Sequence, residues 1–453
     1  MESVFSNRHL TMEEQAFKAQ IQDSNPDRAS PLNPLQYDES FGRDGKLLID
    51  MGGRPTTWVS SIVKMRNSSK YLATYYEGLT PGNPDGYTNN AGLVCFDSHG
   101  EVDSSFGSRG DGTVEMNFGE ADYSIPQQLI QLENGQLLII GQHRSFAGSE
   151  FRNVMMSRLE ADGRVDESFG NAGLLNLTAL TERAIWSVGM IVLPDAKIIL
   201  AATSAEGALS RSLLIKLTAD GQLDESFADR GILEFQRSAA KRTRLFGLKL
   251  IATGDRLVTY GYYPMPAGYA VGFMARLSTD GNLDPDFGQS GFVDLEPDEE
   301  TYIQDVSISS DEASLLVSGS HFNRTLRIVE SLLAKRLENG KVDESFNQGN
   351  PVYLRFHPTS TEDAWNDART LIDGTGKIVA FGTGGAGSDT WSVAGRFHPT
   401  GEPDTSFTDG SSVGSPSNAR FLYKGSYVQG ANPTTILCAG TAEGYGAVLA
   451  IKV

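Results

Sequence analysis

The sequence is poor in cysteine and has no long apolar run. Its two cysteines, Cys95 and Cys438, lie inside apolar stretches, where a free thiol packs as a small hydrophobic side chain. Two isolated thiols exclude a disulfide framework as the source of stability. The first thirty residues lack the basic start and apolar core of a secretory signal, and no stretch approaches the roughly 18 apolar residues of a membrane helix. We expect a protein that does not insert into a membrane and is cytoplasmic, or exported by a route without a standard signal peptide.

The sequence also lacks the common signatures of catalytic and metal sites. Its six histidines form no HExxH pair and its cysteines form no CxxC pair, so a zinc site has no support. The GxSxG elbow of α/β-hydrolases is missing as well. With a net charge of −19 the chain repels phosphate, which argues against nucleic acid as a partner. The catalytic alternative that stays open is a hydrolase or lyase site built from scattered acidic residues.

A short motif recurs seven times along the chain. "VDESFG" occupies 165 to 170, and variants such as "VDSSFG" (102 to 107) and "LDPDFG" (283 to 288) occur elsewhere. Successive copies are about 60 residues apart, a period typical of repeat architectures rather than of separate domains. Each copy supplies one aspartate and one phenylalanine: Asp38 and Phe41, Asp103 and Phe106, Asp166 and Phe169, Asp224 and Phe227, Asp284 and Phe287, Asp343 and Phe346, Asp404 and Phe407.

Each unit carries four short apolar runs bounded by Gly, Asp, Asn or Pro, and helical periodicity is missing. Such runs are typical of antiparallel strands. Seven units of four strands predict an all-β fold, a seven-bladed β-propeller with four-stranded antiparallel blades that spans residues 37–453. A solenoid is the alternative, but it needs distinct polar caps at its ends.

The two ends of the repeat region predict how the ring closes. Residues 46–50 have the pattern of a fourth, outer strand, and the region stops after a third strand at 447–453. These fragments are complementary. We therefore expect one blade shared between the N-terminal segment, which supplies the outer strand, and the C-terminal segment, which supplies the three inner strands.

The motif residues are expected to be scaffold. The aspartate accepts backbone N–H bonds from residues two or three positions further on, in an Asx turn. The phenylalanine fills the gap between neighbouring blades. Calcium binding is the alternative, since "ADGRVDESFG" (161 to 170) resembles an oxygen-rich calcium loop, but the alternating acidic ladder and its terminal bidentate Glu are missing. We expect no cofactor, with calcium as the less favoured alternative.

The pattern Asp-Gly-x-Leu-Asp-x-Ser-Phe-Gly-x-x-Gly, clearest at 162 to 173 and 280 to 291, resembles the delta-60 repeat family of bacterial proteins. The resemblance covers residues 37–453. Departures occur at Ala228, Asn347 and Thr408, which replace the first Gly, and at Asp286, which replaces Ser. The resemblance implies a propeller and brings no catalytic residues, because the function of that family is largely uncharacterised.

The second and fourth connections of each unit differ from one unit to the next, so we expect this irregular face to be the working surface. Three aromatics there are expected to be exposed and to contact a ligand or partner: Tyr76, Tyr263 and Trp391. An aromatic residue also opens the innermost strand of every unit, and these residues are Trp58, Tyr123, Trp186, Phe246, Tyr302, Trp365 and Phe421. They are interpreted as packing between blades, or as a ring of platforms for a sugar or peptide.

Residues 1–36 are expected to form an N-terminal arm. "TMEE" at 11 to 14 is a capping box that predicts a short helix over 12–22, followed by a stiff linker over 25–34. The arm is either a disordered tail or a peptide that docks to a larger assembly. Taken together, the sequence favours a non-catalytic binding or scaffold protein for a protein partner. A carbohydrate-binding propeller is the alternative, and a hydrolase or lyase with a site in the central channel is the third hypothesis.

Overall fold

The computed structural model describes residues 30–453 except for eleven short gaps. In this part of the chain almost all regular structure is β-strand, and no helix is long and apolar enough to cross a membrane. The predicted helix over 12–22 lies outside the described residues. The gaps are 51–56, 78–90, 120–122, 145–151, 207–208, 238–242, 252, 388, 418, 422–426 and 431–433.

The strands form seven antiparallel sheets, and the predicted seven-bladed propeller is confirmed. Blade 7 contains the first strand, β1 (Lys46–Ile49). The strands of each blade are given from the innermost outwards. Blade 1 consists of β2 (Thr57–Lys64), β3 (Tyr71–Glu77), β4 (Ala91–Phe96) and β5 (Thr113–Glu115), and blade 2 consists of β6 (Tyr123–Gln131), β7 (Leu137–Arg144), β8 (Arg152–Leu159) and β9 (Leu174–Asn176). Blade 3 consists of β10 (Ile185–Val192), β11 (Ile198–Glu206), β12 (Leu209–Leu217) and β13 (Ile232–Phe235). Blade 4 consists of β14 (Arg244–Leu250), β15 (Arg256–Pro264), β16 (Ala270–Ser278) and β17 (Phe292–Leu295), and blade 5 consists of β18 (Glu300–Ile308), β19 (Ser314–Asn323), β20 (Ile328–Leu337) and β21 (Val352–Leu354). Blade 6 consists of β22 (Ala364–Thr370), β23 (Ile378–Ala386), β24 (Asp389–Phe397) and β25 (Val413–Gly414).

Blade 7 joins the two ends of the described chain. Its C-terminal strands are β26 (Ala419–Phe421) and β27 (Tyr427–Gln429), which both pair with β28 (Thr435–Ala442), and then β29 (Tyr445–Lys452). Strand β1 pairs with β29 along its whole length, from Lys46 opposite Leu449 to Ile49 opposite Gly446. The predicted shared blade is therefore confirmed. Because β1 and β29 pair with each other, the facing edges of both strands are satisfied.

The apolar core lies between adjacent blades rather than inside any one of them. Strand β3, for example, is buried at every position, because one of its faces packs on each neighbouring blade. The side chains of Phe41 and Ile49 in blade 7 share a cluster with Val59 and Tyr71 in blade 1. Blade-to-blade burial of this kind makes stability depend on the closed ring.

Residues 33–36 continue the outer layer of the propeller. The backbone around Pro34 bridges to Ser415 just beyond β25, and Leu35 is buried among residues of blades 6 and 7. The chain therefore crosses from the edge of blade 6 to the outer strand of blade 7. A short helix, α1 (Leu177–Thr181), follows β9 and is capped by the Asn176 side chain.

The innermost strands share a bulge that positions the channel-lining residues. One extra residue interrupts the pairing with the second strand in each of the first six blades: Ser60, Gln127, Val188, Phe246, Gln304 and Asn366. Opposite the bulge the second strand has a glycine in several blades, because the first strand passes too closely for a side chain. A Cβ on Gly382 would lie 2.0 Å from the carbonyl oxygen of Ala364, and one on Gly261 would lie 1.8 Å from that of Arg244.

Candidate functional site

The repeated motif forms the predicted Asx turn in every unit. In blade 2, Oδ1 of Asp166 accepts hydrogen bonds from the backbone N–H of Ser168 at 3.0 Å and from its hydroxyl at 2.6 Å. The same Asp-to-backbone bond occurs in all other units, at Asp38, Asp103, Asp224, Asp284, Asp343 and Asp404. The turn lies between the third and fourth strands, on the face of the propeller that we call the motif face.

The other carboxylate oxygen of each motif aspartate is also bound. Oδ2 of Asp166 accepts from Arg158 Nε at 2.6 Å and from Gln136 Nε2 at 2.9 Å. A lysine or arginine from the same blade fills this role at Asp103, Asp224, Asp284, Asp343 and Asp404, and Thr435 does so at Asp38. The Ser226 hydroxyl and Lys197 lower the pKa of Asp224 to about 2. The oxygens that a calcium ion would need are therefore already used by protein donors.

The basic residue on the third strand links the motif to the next blade. Arg158 donates from Nη1 to the carbonyl oxygen of Ala219 at 2.5 Å, and its guanidinium lies 4.8 Å from the ring centre of Phe169. The Phe169 ring packs on Gly221 of the next blade, where a Cβ would lie 3.0 Å from the ring. We call this set of contacts the clasp. Equivalent clasps are formed by Lys216 with Phe227 and by Arg276 with Phe287.

Two of the three aromatics expected to be exposed on the irregular face are buried. Only 3% of Tyr76 and 6% of Tyr263 is exposed, so that expectation was wrong. Tyr76 packs with Ala91, Trp58 and Ile125, and Tyr263 packs edge-on against Phe273. Both lie on second strands, whose two faces are covered by neighbouring blades. Trp391 is partly exposed, on β24.

The aromatics that open the innermost strands do not occupy equivalent positions. Trp58 and Tyr302 lie two residues before the bulge and are partly exposed, whereas Phe246 is itself the bulge residue. Trp365 lies one residue before the bulge and is completely buried against Phe356 at 4.3 Å. The side chains of Tyr123, Trp186 and Phe421 lie outside the described part of the structure. A regular ring of platforms is therefore not formed by the four that are described.

A smaller aromatic cluster lies at the channel mouth on the irregular face of blades 4 and 5. Tyr262, which the sequence analysis did not single out, makes edge-to-face contacts with Phe246 at 5.4 Å and with Tyr302 at 4.9 Å. Arg244 lies 6.0 Å from the Tyr262 ring centre, and the Tyr302 hydroxyl donates to Glu300 at 3.0 Å. All three rings are partly exposed.

Towards the outer rim the same two blades present further aromatic and basic side chains. The Arg324 guanidinium lies over the Tyr269 ring at 4.6 Å, and the tilted rings of Tyr353 and His321 have centres 4.3 Å apart. Leu326 is 58% exposed, the highest value for an apolar side chain in this sector. We define the blade 4–5 patch as Arg244, Phe246, Tyr262, Tyr269, Tyr302, Arg324, Leu326 and Tyr353. Tyr302 and Phe246 could be found from their place in the repeat, but the others have no sequence signal of their own.

The exposed apolar residues of the motif face have a structural role. Val102, Val165, Leu283 and Val342 all precede a motif aspartate, and between 38% and 52% of each is exposed. Each covers a turn glycine of the same blade; a Cβ on Gly173, for example, would lie 2.2 Å from Val165. Their repetition therefore follows from the turn and does not identify a binding surface.

Titratable groups gather where the innermost strands of blades 4 to 6 meet. Asp305 accepts from the Tyr260 hydroxyl at 2.5 Å and pairs with Lys249 at 3.1 Å, and Asp367 accepts from Arg369 at 3.0 Å. Burial raises the pKa of Tyr260 and of Asp367. In the described part of the chain no three His, Cys, Asp or Glu side chains are arranged to hold a metal ion.

Comparisons with known proteins find one family model and a number of solved structures that are similar to this chain. A family model described as a domain of unknown function (DUF5122) beta-propeller matches residues 193–227, and with the seven blades it supports a propeller family. Among solved structures, the extracellular domains 1-2 of Drosophila Semaphorin 1b are 9% identical with a TM-score of 0.47, covering 93% of this chain and 87% of that one. The β-propeller domain of the Trilobed protease from Pyrococcus furiosus is 7% identical with a TM-score of 0.42, covering 88% and 94%.

An α-L-arabinofuranosidase, Arb93A from Fusarium graminearum, is also similar in structure. It is 12% identical with a TM-score of 0.42, covering 81% of this chain and 97% of that chain. The comparison with curated proteins finds no match.

Proposed function

We propose that this protein is a non-catalytic binding or scaffold protein that takes a protein partner on the blade 4–5 patch. The observation that carries the proposal is the composition of that patch. Tyrosine and arginine side chains dominate it, and Leu326 adds an exposed apolar contact. Tyrosine and arginine are enriched among the residues that contribute most to protein interfaces, because each combines a large contact area with polar groups.

The contrast between the two faces supports the irregular one. On the motif face the repeated aspartate, serine and basic side chains bond to one another in the clasps, so their hydrogen-bonding capacity is already used. The Arg324 and Tyr269 pair, by comparison, belongs to no repeated contact. A rigid ring with variable loops is the usual way in which a fold presents a binding surface.

The test is a quantitative capture experiment from a lysate of the source organism, with three immobilised proteins. The wild type is compared with the patch variant Tyr302→Ala/Arg324→Ala and with the motif-face variant Val165→Ser/Glu167→Ala. We expect at least one protein to be recovered by the wild type and the motif-face variant and to be depleted at least tenfold on the patch variant. Equal recovery on all three, with unfolding temperatures matched, contradicts the proposal.

Carbohydrate binding is a second candidate function, favoured by the channel-mouth cluster alone. Its aromatic rings are flanked by Arg244 and by Glu300, which are suited to bind sugar hydroxyls. A glycan array separates the two functions with single variants. A sugar site loses its ligand in Tyr302→Ala and keeps it in Arg324→Ala, whereas a protein interface over the whole patch is weakened by both changes.

The motif also supports assignment to the delta-60 repeats, although the matched family model covers only residues 193–227. The spacing of Asp, Phe and Gly is explained by the Asx turn and the clasp, in which each of these residues makes a defined set of contacts. A propeller built from such clasps needs no catalytic residue in the motif. This agrees with a scaffold whose function is carried by the other face.

A further inference from the structure

Buried polar atoms without a hydrogen-bond partner are concentrated in one blade. Among the described residues twelve side chains carry such an atom, and five of them belong to blade 6 or the loop that enters it: Asp363, Trp365, Asn366, Asp367 and Trp391. Buried polar groups are nearly always paired in native proteins, so each exception requires an explanation. Because these atoms are concentrated in one of seven similar blades, the explanation must lie in that blade.

Asn366 and Asp367 lie together at the bulge of β22, in the wall of the central channel. Each is only 1% exposed, and neither the Oδ1 nor the Nδ2 atom of Asn366 has a partner among the described residues. Oδ2 of Asp367 is bound by Arg369, but its Oδ1 has no partner. Bulges re-aim side chains next to functional sites, and at this one an amide and a carboxylate are consecutive in the chain.

The preceding blade junction shows how a buried acid at this position is satisfied. Asp305 occupies the position of Asp367 one blade earlier, directly after the bulge, and there the Tyr260 hydroxyl and the Lys249 ammonium of blade 4 satisfy it. The strand register assigns Ser318 and Ser307 of blade 5 to the positions of Tyr260 and Lys249. Two serines replace a phenol and a long amine. The carboxylate of Asp367 therefore has no comparable donor from its neighbouring blade.

We propose that Asn366 and Asp367 form a binding site at the propeller axis for a small uncharged molecule that carries adjacent hydroxyl groups. A hydroxyl both donates and accepts, so neighbouring hydroxyls match the two oxygens and the amide N–H₂ that these side chains present. Bonds to both residues would satisfy all three orphaned atoms at once. The site is separate from the blade 4–5 patch and does not depend on partner binding there.

The charges of the surrounding groups select an uncharged ligand. Lys249 is paired with Asp305, and Arg369 is paired with Asp367, so the two ion pairs are each internally balanced. A charged ligand would add an uncompensated charge next to side chains that are almost fully buried, which is costly. An alcohol adds none.

The first strands run from the irregular face towards the motif face, and two residues beyond the position that follows the bulge they carry Lys249 in blade 4 and Arg369 in blade 6, whose side chains are 33% and 36% exposed. Ser307 occupies the same register position in the blade between them. These three residues lie on the motif-face side of Asn366, and a ligand is expected to enter past them.

Ligand-detected NMR of the full-length protein tests the proposal with named probes. Saturation transfer is recorded for myo-inositol, glucose and glycerol, and for acetate, inorganic phosphate and ethylammonium as charged controls. The variants are Asn366→Leu and Asp367→Asn, with Gln127→Leu as the matched control at the same bulge position in blade 2. Thermal unfolding checks that each variant is folded, and Asp367→Asn keeps the shape of the side chain if Asn366→Leu does not fold.

We expect at least one polyol to bind the wild type and Gln127→Leu, and its dissociation constant to rise at least tenfold in Asn366→Leu and in Asp367→Asn. Since Asn366→Leu also removes a buried unpaired amide, its unfolding temperature is expected to equal or exceed that of the wild type without ligand. If no polyol binds, the two side chains hold water only and the proposal is wrong. Equal binding by all variants, or binding of a charged probe in place of the polyols, overturns it as well.

Discussion

The Oγ1 atom of Thr435 donates a 2.9 Å hydrogen bond to Oδ2 of Asp38, a residue 397 positions earlier in the chain. Asp38 also donates its backbone N–H to the carbonyl oxygen of Ala450 at 2.9 Å. The first motif aspartate is thus held by the last blade, in the role that a lysine or arginine plays in the other blades. The two ends of the repeat region meet at this carboxylate, and the ring closes there.

Removal of the last strand is therefore expected to destabilise the whole ring. Deletion of residues 447–453 takes away most of β29, which pairs with both β1 and β28. We expect loss of the cooperative thermal transition, because the burial between blades 7 and 1 is lost with it. Deletion of residues 1–29 is the control and is expected to leave the transition unchanged.

The substitution Thr435→Val tests the same closure at a single hydrogen bond. It should lower the free energy of unfolding by about 1–3 kcal/mol, since it leaves a buried carboxylate oxygen of Asp38 unpaired. Equal melting of all these proteins refutes closure through the shared blade.

The sequence predicts this closure because the evidence for it is local. A motif repeated at a fixed period gives the number of blades, and the two incomplete units at the ends are complementary in strand content. The burial of Tyr76 and Tyr263 is not predicted, because it depends on which blade covers each face of a second strand. The bulges depend on strand register, which no short stretch encodes. The orphaned Oδ1 of Asp367 depends on the contrast between Ser318 and Tyr260 in other blades.

Asp363 is expected to make stability fall as the pH rises through the weakly acidic range. Burial raises the pKa of Asp363 to about 6, although the Ser360 hydroxyl opposes the shift. The folded state thus binds the proton more tightly than the unfolded chain, whose carboxyl has an ordinary pKa near ~4. The stabilisation is complete below about pH 4 and is lost as the pH approaches about 6.

Asp363→Asn, which cannot ionise, is expected to raise the unfolding temperature at pH 7.5 by about 1–3 °C and to have a smaller effect at pH 4.5. Asp224→Asn is the control with the opposite sign, because Ser226 and Lys197 lower the pKa of Asp224 and its ionised form stabilises the fold. Thermal unfolding at both pH values checks the pair. An Asp363→Asn effect that does not change between pH 4.5 and 7.5 contradicts the assignment.

Gly382 is expected to tolerate no side chain. The bulge at Asn366 brings the Ala364 carbonyl oxygen to within 2.0 Å of the place where a Cβ would lie. Gly382→Ala must push β22 away from β23, at a cost of about 1–3 kcal/mol. Gly189→Ala is the matched control, since its nearest neighbour would lie 3.6 Å away. Denaturant unfolding measures the free energy of unfolding of both variants. If the two values are equal, β22 moves away from β23 at little cost and the prediction is wrong.

Chelation of calcium is expected to leave the protein unchanged. Both carboxylate oxygens of Asp166 and of Asp224 already accept bonds from serine, lysine, arginine or glutamine side chains. We expect the unfolding temperature to stay within about 1 °C after treatment with a chelator. A clear fall that added calcium reverses would show that the motif turns bind the ion after all, because a ligand of the folded state raises its stability.

A blade junction whose clasp contains a basic residue should open less often than a junction without one. Gly288 donates its backbone N–H to Asn339 of the next blade, and Arg276 reinforces that junction through Glu338 and the Phe287 ring. Gly42 makes the corresponding bond to His99, but Ala450 occupies the position of Arg276 and offers no cation. Hydrogen bonds from a charged donor contribute more than neutral ones. We therefore expect the Gly42 amide to exchange about tenfold faster than that of Gly288.

Arg276→Met tests the cause of this difference. Arg256 still lies 3.6 Å from Asp284 in the variant, so the Asx turn keeps a basic neighbour and the fold is expected to survive. Native-state hydrogen exchange should show the Gly288 amide accelerated about tenfold, towards the rate of Gly42, while Gly42 itself is unaffected, since ~1.4 kcal/mol corresponds to a factor of ten. If Gly288 keeps its protection in Arg276→Met, the junction is held by the phenylalanine and the backbone bonds alone, and the cation is not part of what joins the blades.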